Sequence, residues 1–452
     1  MDNSSPVETL VRDTTGLSAR EVLDLIATRI TSGDLPAGTQ LPTIRGFAAS
    51  TGLGTSSVAQ VWARLADRGL VTTRRRGGTV VATLSRWPLA GPPRAFEGWS
   101  SVDVSSAHPR PDQLPDLRMA LDRSLREPST NSLQREPITA LLQQACEATW
   151  PFAAQDWVSV SGAAEAVLLS TEAATEAQGL VAVQQPMTSG TLGNFRTLGY
   201  TVVGIDCDQD GPLPESVAAA LAQGARTFIF QPAGTFSVDS WLSVERVAAI
   251  AAVLEPHAHE VWVIEEDVLG PLLTQSAPTF ADVLPGRVLR LASFCRAFGL
   301  DLRTTVLGGS RELIERVRKL RSHGILAQSR ILQNALAHLL TDDEALTLVR
   351  TAAQQYAARA SALTRALGER DVPTLTPPGK FVVWLPAENE DEALAELANR
   401  GVVLGHSNRT FVTPPTPALI RIGTPQLPEN PELIQELADL LASASRAALL
   451  AS

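Results

Sequence analysis

The sequence predicts a multidomain chain: a small, mainly α winged helix-turn-helix at the N-terminus, then an α/β body that ends in a smaller α+β subdomain. Three observations carry this. Residues 18–69 hold three helical patterns around a glycine turn, followed by an arginine-tipped hairpin. From about residue 116, short apolar runs alternate with Ala-rich helical stretches. Beyond residue 345, helical stretches at 350–368 and 430–450 surround the strand-like runs FVVWLP and ALIRIG.

In chain order, Val22, Leu23, Leu25, Ile26 and Ile30 follow the spacing of a helix buried on one face. Pro36, Gly38 and Pro42 break it before a second helix, TIRGFAAST, with Thr43 as N-cap and Ile44, Phe47 and Ala48 inward. After Gly52 and Gly54, a third helix is apolar at Val58, Val61, Trp62 and Leu65 and closes at Gly69. LVTTRRRGGTVVA then reads as a hairpin whose tip carries Arg74, Arg75 and Arg76, well placed to meet phosphates or a minor groove. Residues 84–115 contain six prolines without sustained periodicity and read as a partly stiff linker. Next come WVSVS, GLVAVQQ, TVVGIDC, RTFIFQP, VWVIEED and RVLRLAS, expected strands of a mostly parallel sheet with helices on both faces.

Composition narrows the functions. With 452 residues, 44% apolar and 19% charged, the chain can build full-sized cores and is neither disordered nor membrane-spanning in pattern. The start, MDNSSPVETLVRD, has no secretory-signal pattern, and three scattered cysteines predict no disulfide, so a cytoplasmic protein is expected. Residues 1–83 hold nine Arg against seven Asp or Glu, a balance of +2 within a chain of net charge −10. A basic end on an acidic body suits a nucleic-acid module. His257 and His259 form an HxH with no evident third ligand, so no metal site is expected.

Residues 18–82 resemble the winged helix-turn-helix of the GntR family, in the run SGDLPAGTQLPTIRGFAASTGLGTSSVAQVWARLADRGLVTTRRRGGTVV. The resemblance implies double-stranded operator DNA as partner, contacted by Arg45, Thr55, Ser56, Ser57, Gln60, Arg74, Arg75 and Arg76. Where that family usually has Ser-Arg, this chain has Gly54-Thr55, which implies an altered operator.

With that start, the order of the later elements resembles a fold type I aminotransferase domain as found in MocR-type regulators. The implied division is 1–83 for DNA binding, 84–115 for the linker and 116–452 for the aminotransferase-like domain. Its large part is about 150–345, and its small part 116–149 with 346–452. SVSGAAEAVLL resembles the turn that cradles the phosphate of pyridoxal phosphate, through Gly162, Ala163 and Ala164. SFCRAFGLDLR resembles the Ser-x-x-Lys segment with its following arginine, keeping Ser293 and Arg303, and Arg421 resembles the arginine that grips a substrate carboxylate.

In this resemblance Arg296 stands where the family has its cofactor-linking lysine, and a guanidinium is no amine nucleophile near neutral pH. Thr188 replaces a stacking Tyr, Phe236 begins a run in place of Asn-Pro-Thr-Gly, and Glu266 and Val268 replace an Asp and a Tyr. Groups that read the cofactor ring are thus changed while anion-holding groups remain. The expectation is no covalent cofactor. Arg296, Arg303 and Arg421 would turn into one cleft with Glu266 or Asp267 opposite, to bind a small anionic effector. An ion pair of Arg296 with Glu265, Glu266 or Asp267 in a dead pocket is the plain alternative. Non-covalent pyridoxal phosphate is a further one. An active aminotransferase would need Lys380, since Lys319 lies on a charged helix. The resemblance also implies a homodimer with domain-swapped DNA readers and no membrane contact.

Overall fold

A computed structural model describes residues 6–32, 35–36, 38–67, 70–74, 78–81, 102–105, 107–134, 136–175, 179–234, 241–273, 276–322, 328–376 and 381–446. The chain forms two compact units, residues 1–94 and 95–452. Arg75, Arg76, Phe236 and Lys380 lie outside the described residues.

The first unit contains α1 (Pro6–Thr14), α2 (Ala19–Ser32), α3 (Ile44–Thr51), α4 (Thr55–Asp67) and the antiparallel pair β1 (Val71–Arg74) and β2 (Gly78–Val81). Helix α1, which no expectation covered, buries Leu10 completely. A capping box opens α2: the Ser18 hydroxyl and amide donate to Glu21 Oε2, at 2.6 and 2.8 Å. The hydroxyl of Thr43 accepts from the Gly46 amide at 3.1 Å, as expected of the N-cap of α3, and Gly52 ends that helix at φ 80°. Phe47, Ala48, Val58, Val61, Trp62 and Leu65 are buried together, but Ile44 is exposed, a correction to the expected inward face. At the first position of α3, Ile44 lies ahead of the turn whose face meets α4.

In the second unit, β3 (Val102–Asp103), α5 (Leu117–Leu125) and α6 (Ala140–Glu147) precede the main alternation. That alternation runs β4 (Asp156–Val160), α7 (Ala163–Ala174), β5 (Leu180–Gln184), α8 (Ser189–Thr197), β6 (Thr201–Ile205) and the small hairpin β7 (Cys207–Asp208) with β8 (Gly211–Pro212). It continues with α9 (Pro214–Ala222), β9 (Thr227–Phe230), α10 (Val244–Leu254), β10 (Trp262–Asp267), β11 (Val288–Ser293), α11 (Cys295–Phe298), β12 (Thr305–Gly309) and α12 (Arg311–Arg321). The rest is α13 (Arg330–Leu340), α14 (Asp343–Gly368), β13 (Val382–Ala387), α15 (Glu390–Asn399), β14 (Val402–Val403), β15 (Ala418–Gly423) and α16 (Pro431–Arg446).

Seven described strands form one sheet in the order β4-β12-β11-β10-β9-β5-β6, with β12 antiparallel to both neighbours. All six expected strand runs are in it, and β12 is the addition. Its apolar signal is short because Gly308 and Gly309 end it: a Cβ at Gly309 would lie 2.3 Å from the Val288 carbonyl oxygen, and one at Gly308 2.6 Å from the Trp157 ring. Alternation along the strands sends Val181, Val183 and Ile264 toward α7, α8 and α12, and Ala182 and Val263 toward α9 and α10.

One expected boundary moves. Residues 102–105 and 107–115, expected in the linker, belong to the second unit, where β3 pairs in parallel with β14 and Val104 is fully buried. Their valines alternate, so the segment can serve as a strand despite the prolines after it. Residues 116–149, expected in the small part, supply Ala120, Ile138 and Leu142 to a core that holds both Phe298, Leu302 and Leu336 of the large part and Tyr356, Phe381 and Trp384 of the small part. The small part's own core packs α14, α15 and α16 on the antiparallel pair β13 and β15.

Candidate functional site

In the first unit, burying Val58, Val61, Trp62 and Leu65 turns the other side of α4 outward. Thr55, Ser56 and Gln60 are exposed there and Ser57 is half-buried. Arg45, on the first turn of α3, is exposed too. Arg64 extends the row Ser56-Gln60 at a spacing of four and was missed by the sequence reading, although that periodicity could have found it. At the hairpin, Arg74 pairs with Gly78 across the strands.

In the second unit, the topology gathers the expected residues at one edge of the large sheet. Gly162 follows the carboxyl end of β4, Thr188 that of β5, Glu266 and Val268 lie at that of β10, and Ser293 and Arg296 at that of β11. Because β12 runs the other way, Arg303 just before it reaches the same edge, where Ser293 pairs with Thr305 and Thr305 with Val160. Carboxyl edges of parallel sheets are where open α/β folds bind ligands.

Strand geometry sorts the three consecutive acids of β10. Glu265 and Asp267 share one face, and Glu266 takes the other. On the first face Arg290 of β11 lies beside Glu265 in register, donating to Glu265 Oε2 at 3.1 Å and to Asp267 Oδ2 at 2.8 Å. Glu265 also accepts from the Thr279 hydroxyl and the Phe280 amide, and Asp267 from the Leu269 and Gly270 amides. Burial opposes the charge on Asp267, yet Arg290 and those amides hold its carboxyl below the usual carboxylate range. Of the two acids expected opposite the guanidiniums, Glu266 or Asp267, the second is ruled out: Asp267 and Glu265 are committed to Arg290.

On the other face, buried Glu266 accepts from Gln231 Nε2 at 2.9 Å. Burial pushes its carboxyl up, against that hydrogen bond and the nearby Arg296 guanidinium. Arg296, on the one-turn helix α11, donates from Nε to the Ala107 carbonyl at 3.3 Å. Burial brings its guanidinium down to about 10, with Glu266 acting to raise it, so it stays cationic near neutral pH. Arg421, from β15, donates from Nη2 to the Ser105 carbonyl at 3.1 Å and lies within the field of Arg296. Its pKa too is lowered by burial, with Glu390 opposing.

His108 joins this group unannounced by the sequence, in which it stood as one of six histidines. Burial first, then the Arg296 and Arg421 guanidiniums, hold its imidazole below the ordinary pKa. Its Nδ1 is buried with no hydrogen-bond partner among the described residues. Ser293 is buried, its hydroxyl donating to Cys295 Sγ at 3.4 Å. Gly162 opens α7 at φ 97° and gives no side-chain cap to the first-turn amides. Ala163 is half-buried, Ala164 exposed, Thr188 half-buried and Val268 buried. Arg303 is exposed at that edge, whereas Arg296 acts electrostatically on Glu266 and, with Arg421, on His108. The left-handed backbone of Arg303, φ 38°, belongs to the turn that reverses the chain into β12.

Comparison with known proteins agrees with both units. Residues 18–81 match the family of bacterial regulatory proteins known as gntR, and residues 252–440 match aminotransferase class I and II. The chain is a DNA-binding regulator with an aminotransferase-like domain. This regulator is 28% identical over 416 residues to the vitamin B6 salvage pathway transcriptional repressor PtsJ of Salmonella typhimurium, covering 89% of this chain and 94% of that protein. It is 25% identical over 316 residues to the HTH-type transcriptional regulator YjiR of Escherichia coli, covering 62% of this chain and 66% of that one. Among solved structures, the alpha-aminoadipate aminotransferase LysN of Thermus thermophilus superposes with a TM-score of 0.67 at 18% identity, over 78% of this chain and 94% of that one. The aspartate aminotransferase of the same organism gives 0.65 at 18% identity, over 77% and 92%. These likenesses establish a fold type I aminotransferase architecture. Among the described residues no helix is long and apolar enough to cross a membrane.

Proposed function

We propose that the aminotransferase-like domain of this regulator is a catalytically inactive receptor for a small anionic metabolite, and that occupancy of the receptor alters operator binding by the winged helix. One observation supports the reading: Arg296, which the sequence resemblance puts in the place of the cofactor-linking lysine, remains cationic and is half-buried within the field of a second guanidinium, Arg421. The two guanidiniums face two carboxylates, Glu266 and Glu390, and burial raises the proton affinity of Glu266, which tips the balance toward positive charge and favours carboxylate or phosphate.

The residues at the sheet edge do not fit a covalently held pyridoxal phosphate. A guanidinium that keeps its proton cannot act as the amine, and alkyl Val268 takes the place of a phenol. A second reading, reversible binding of pyridoxal phosphate, is favoured by the role of the relative PtsJ in vitamin B6 salvage and by the start of α7, which has no side-chain cap and lies at the same sheet edge as Ser293. On either reading the working unit is a homodimer with exchanged DNA readers, because paired half-sites multiply affinity and specificity.

Calorimetric titration of the full chain with inorganic phosphate, succinate, malate and pyridoxal phosphate tests the receptor, alongside anisotropy on its own promoter DNA. At least one anion should bind, shift DNA affinity and lose its effect in Arg421→Ala. Borohydride treatment with pyridoxal phosphate should leave the chain mass unchanged, and light scattering should give twice 48.1 kDa. Stoichiometric mass gain would overturn the receptor reading, as would indifference to every anion.

A further inference from the structure

Three groups from distant parts of the chain meet at the anion site: Arg296 after β11, Arg421 on β15, and the segment just after β3. That segment is fixed at both ends. The amides of Val102 and Val104 donate to the carbonyls of Gly401 and Val403 at 2.9 and 3.0 Å, and the Gly423 amide donates to the Val104 carbonyl at 2.8 Å. Beyond the site, Gln426 Nε2 donates to the His108 carbonyl at 2.8 Å. Between these anchors, the Ser105 carbonyl receives Arg421 and the Ala107 carbonyl receives Arg296, at 3.1 and 3.3 Å.

We propose that His108 is a ligand-reading residue of the anion site, presented by a strap whose Ser105 and Ala107 carbonyls hold Arg421 and Arg296 until an anion takes them. The inference rests on the receptor reading above and deepens it by naming a ligand class. An amide carbonyl is a neutral acceptor, whereas a carboxylate or phosphate oxygen bonds a guanidinium at closer range and about twice as strongly. An entering anion therefore wins the guanidiniums and loosens the strap.

Buried Nδ1 of His108 has no partner among the described residues, and an unmade bond at a buried polar atom is costly. Burial first, and then the two guanidiniums, hold the imidazole's pKa down, so the ring is neutral near pH 7 and keeps a lone pair on one nitrogen. A ligand hydroxyl can donate to that lone pair, while an ammonium there would be repelled by the same guanidiniums. The class indicated is a hydroxycarboxylic acid.

Malate and succinate differ by one hydroxyl and are the probes. Calorimetry on the full chain should show malate binding about tenfold more tightly, the worth of one well-made hydrogen bond. His108→Leu should bring the two affinities together, and His108→Gln, which keeps a donor and an acceptor, should retain part of the preference. Malate should also raise amide exchange in peptides covering residues 102–110. Should His108→Leu keep the preference while Arg421→Ala abolishes binding of both acids, the inference falls and the receptor stands. Should neither acid bind the natural chain, the inference falls, and the receptor is then decided by phosphate and pyridoxal phosphate alone.

Discussion

Assigning Glu266 alone to the cleft requires that Glu265 and Asp267 be held by Arg290, and Arg290→Met tests that directly. The Arg290 side chain is 5% exposed, that of Glu265 0% and that of Asp267 11%, so its removal leaves two enclosed carboxylates without a counter-charge. Breaking a buried pair from one side costs roughly 3–5 kcal/mol, a loss of two to four powers of ten in the opening equilibrium. Amide exchange along β10 and β11 reads that opening locally, without assuming that the two units unfold together.

The pH dependence has a definite sign. In the natural chain Asp267 has a depressed pKa, so its contribution is present above the unfolded value and lost as pH falls through the folded one. In Arg290→Met the unpaired carboxylates have raised values, so their contribution is present at low pH and lost as pH rises. Only the second acts between pH 8 and 5, where it closes the gap between variant and natural chain as pH is lowered; the first sets in below the usual carboxylate range. Adding Glu265→Gln and Asp267→Asn removes the stranded charges, and the carboxamide oxygen introduced by the second change can still accept the Leu269 and Gly270 amides; most of the loss should return. A deficit under about 1 kcal/mol at pH 8, no greater than one ordinary hydrogen bond, would refute this sorting of the acids and return Asp267 to the cleft.

Three further outcomes are expected. Arg45→Ala should weaken binding to all DNA sequences alike and lower the salt slope by about 1, whereas Gln60→Ala should relax preference at one base position, both read by anisotropy over a salt series. Thr43→Ala should cost about 1 kcal/mol by removing the bond to the Gly46 amide, measured as amide exchange in α3. Gly308→Ala should destabilise the large sheet by roughly 1–3 kcal/mol, since its methyl would meet the Trp157 ring at 2.6 Å; exchange along β12 reports it.

The fold was legible where local pattern and tertiary demand coincide. Buried parallel strands are apolar on both faces, so six of them stood out as short Val- and Ile-rich runs, and Thr43 announced α3 through the same hydrogen bond the structure shows. Strand β12 hid because its two glycines are there for what crosses over them, the Trp157 ring and the Val288 carbonyl, and not for strand propensity. The Pro-rich stretch after residue 84 concealed a strand as short as Val102–Asp103, whose pairing with β14 spans some three hundred residues of sequence and leaves no local trace.

The site divides along the same line. A residue whose role depends on its own strand can be inferred by counting: alternation alone sets Glu266 opposite Glu265 and Asp267, although only the position of Arg290 on the neighbouring strand shows which face is spoken for. A residue whose role depends on three separate segments cannot. His108 matters because Arg296 and Arg421 converge on the strap that carries it, and nothing within ten residues of His108 encodes either arginine. Arg303 is the converse case, singled out by its spacing from Ser293 yet exposed in the turn into β12, while Arg296 and Arg421 donate to carbonyls of the strap. Spacing along a chain constrains residues on one element well, but once a turn or a second domain intervenes, convergence is decided by packing.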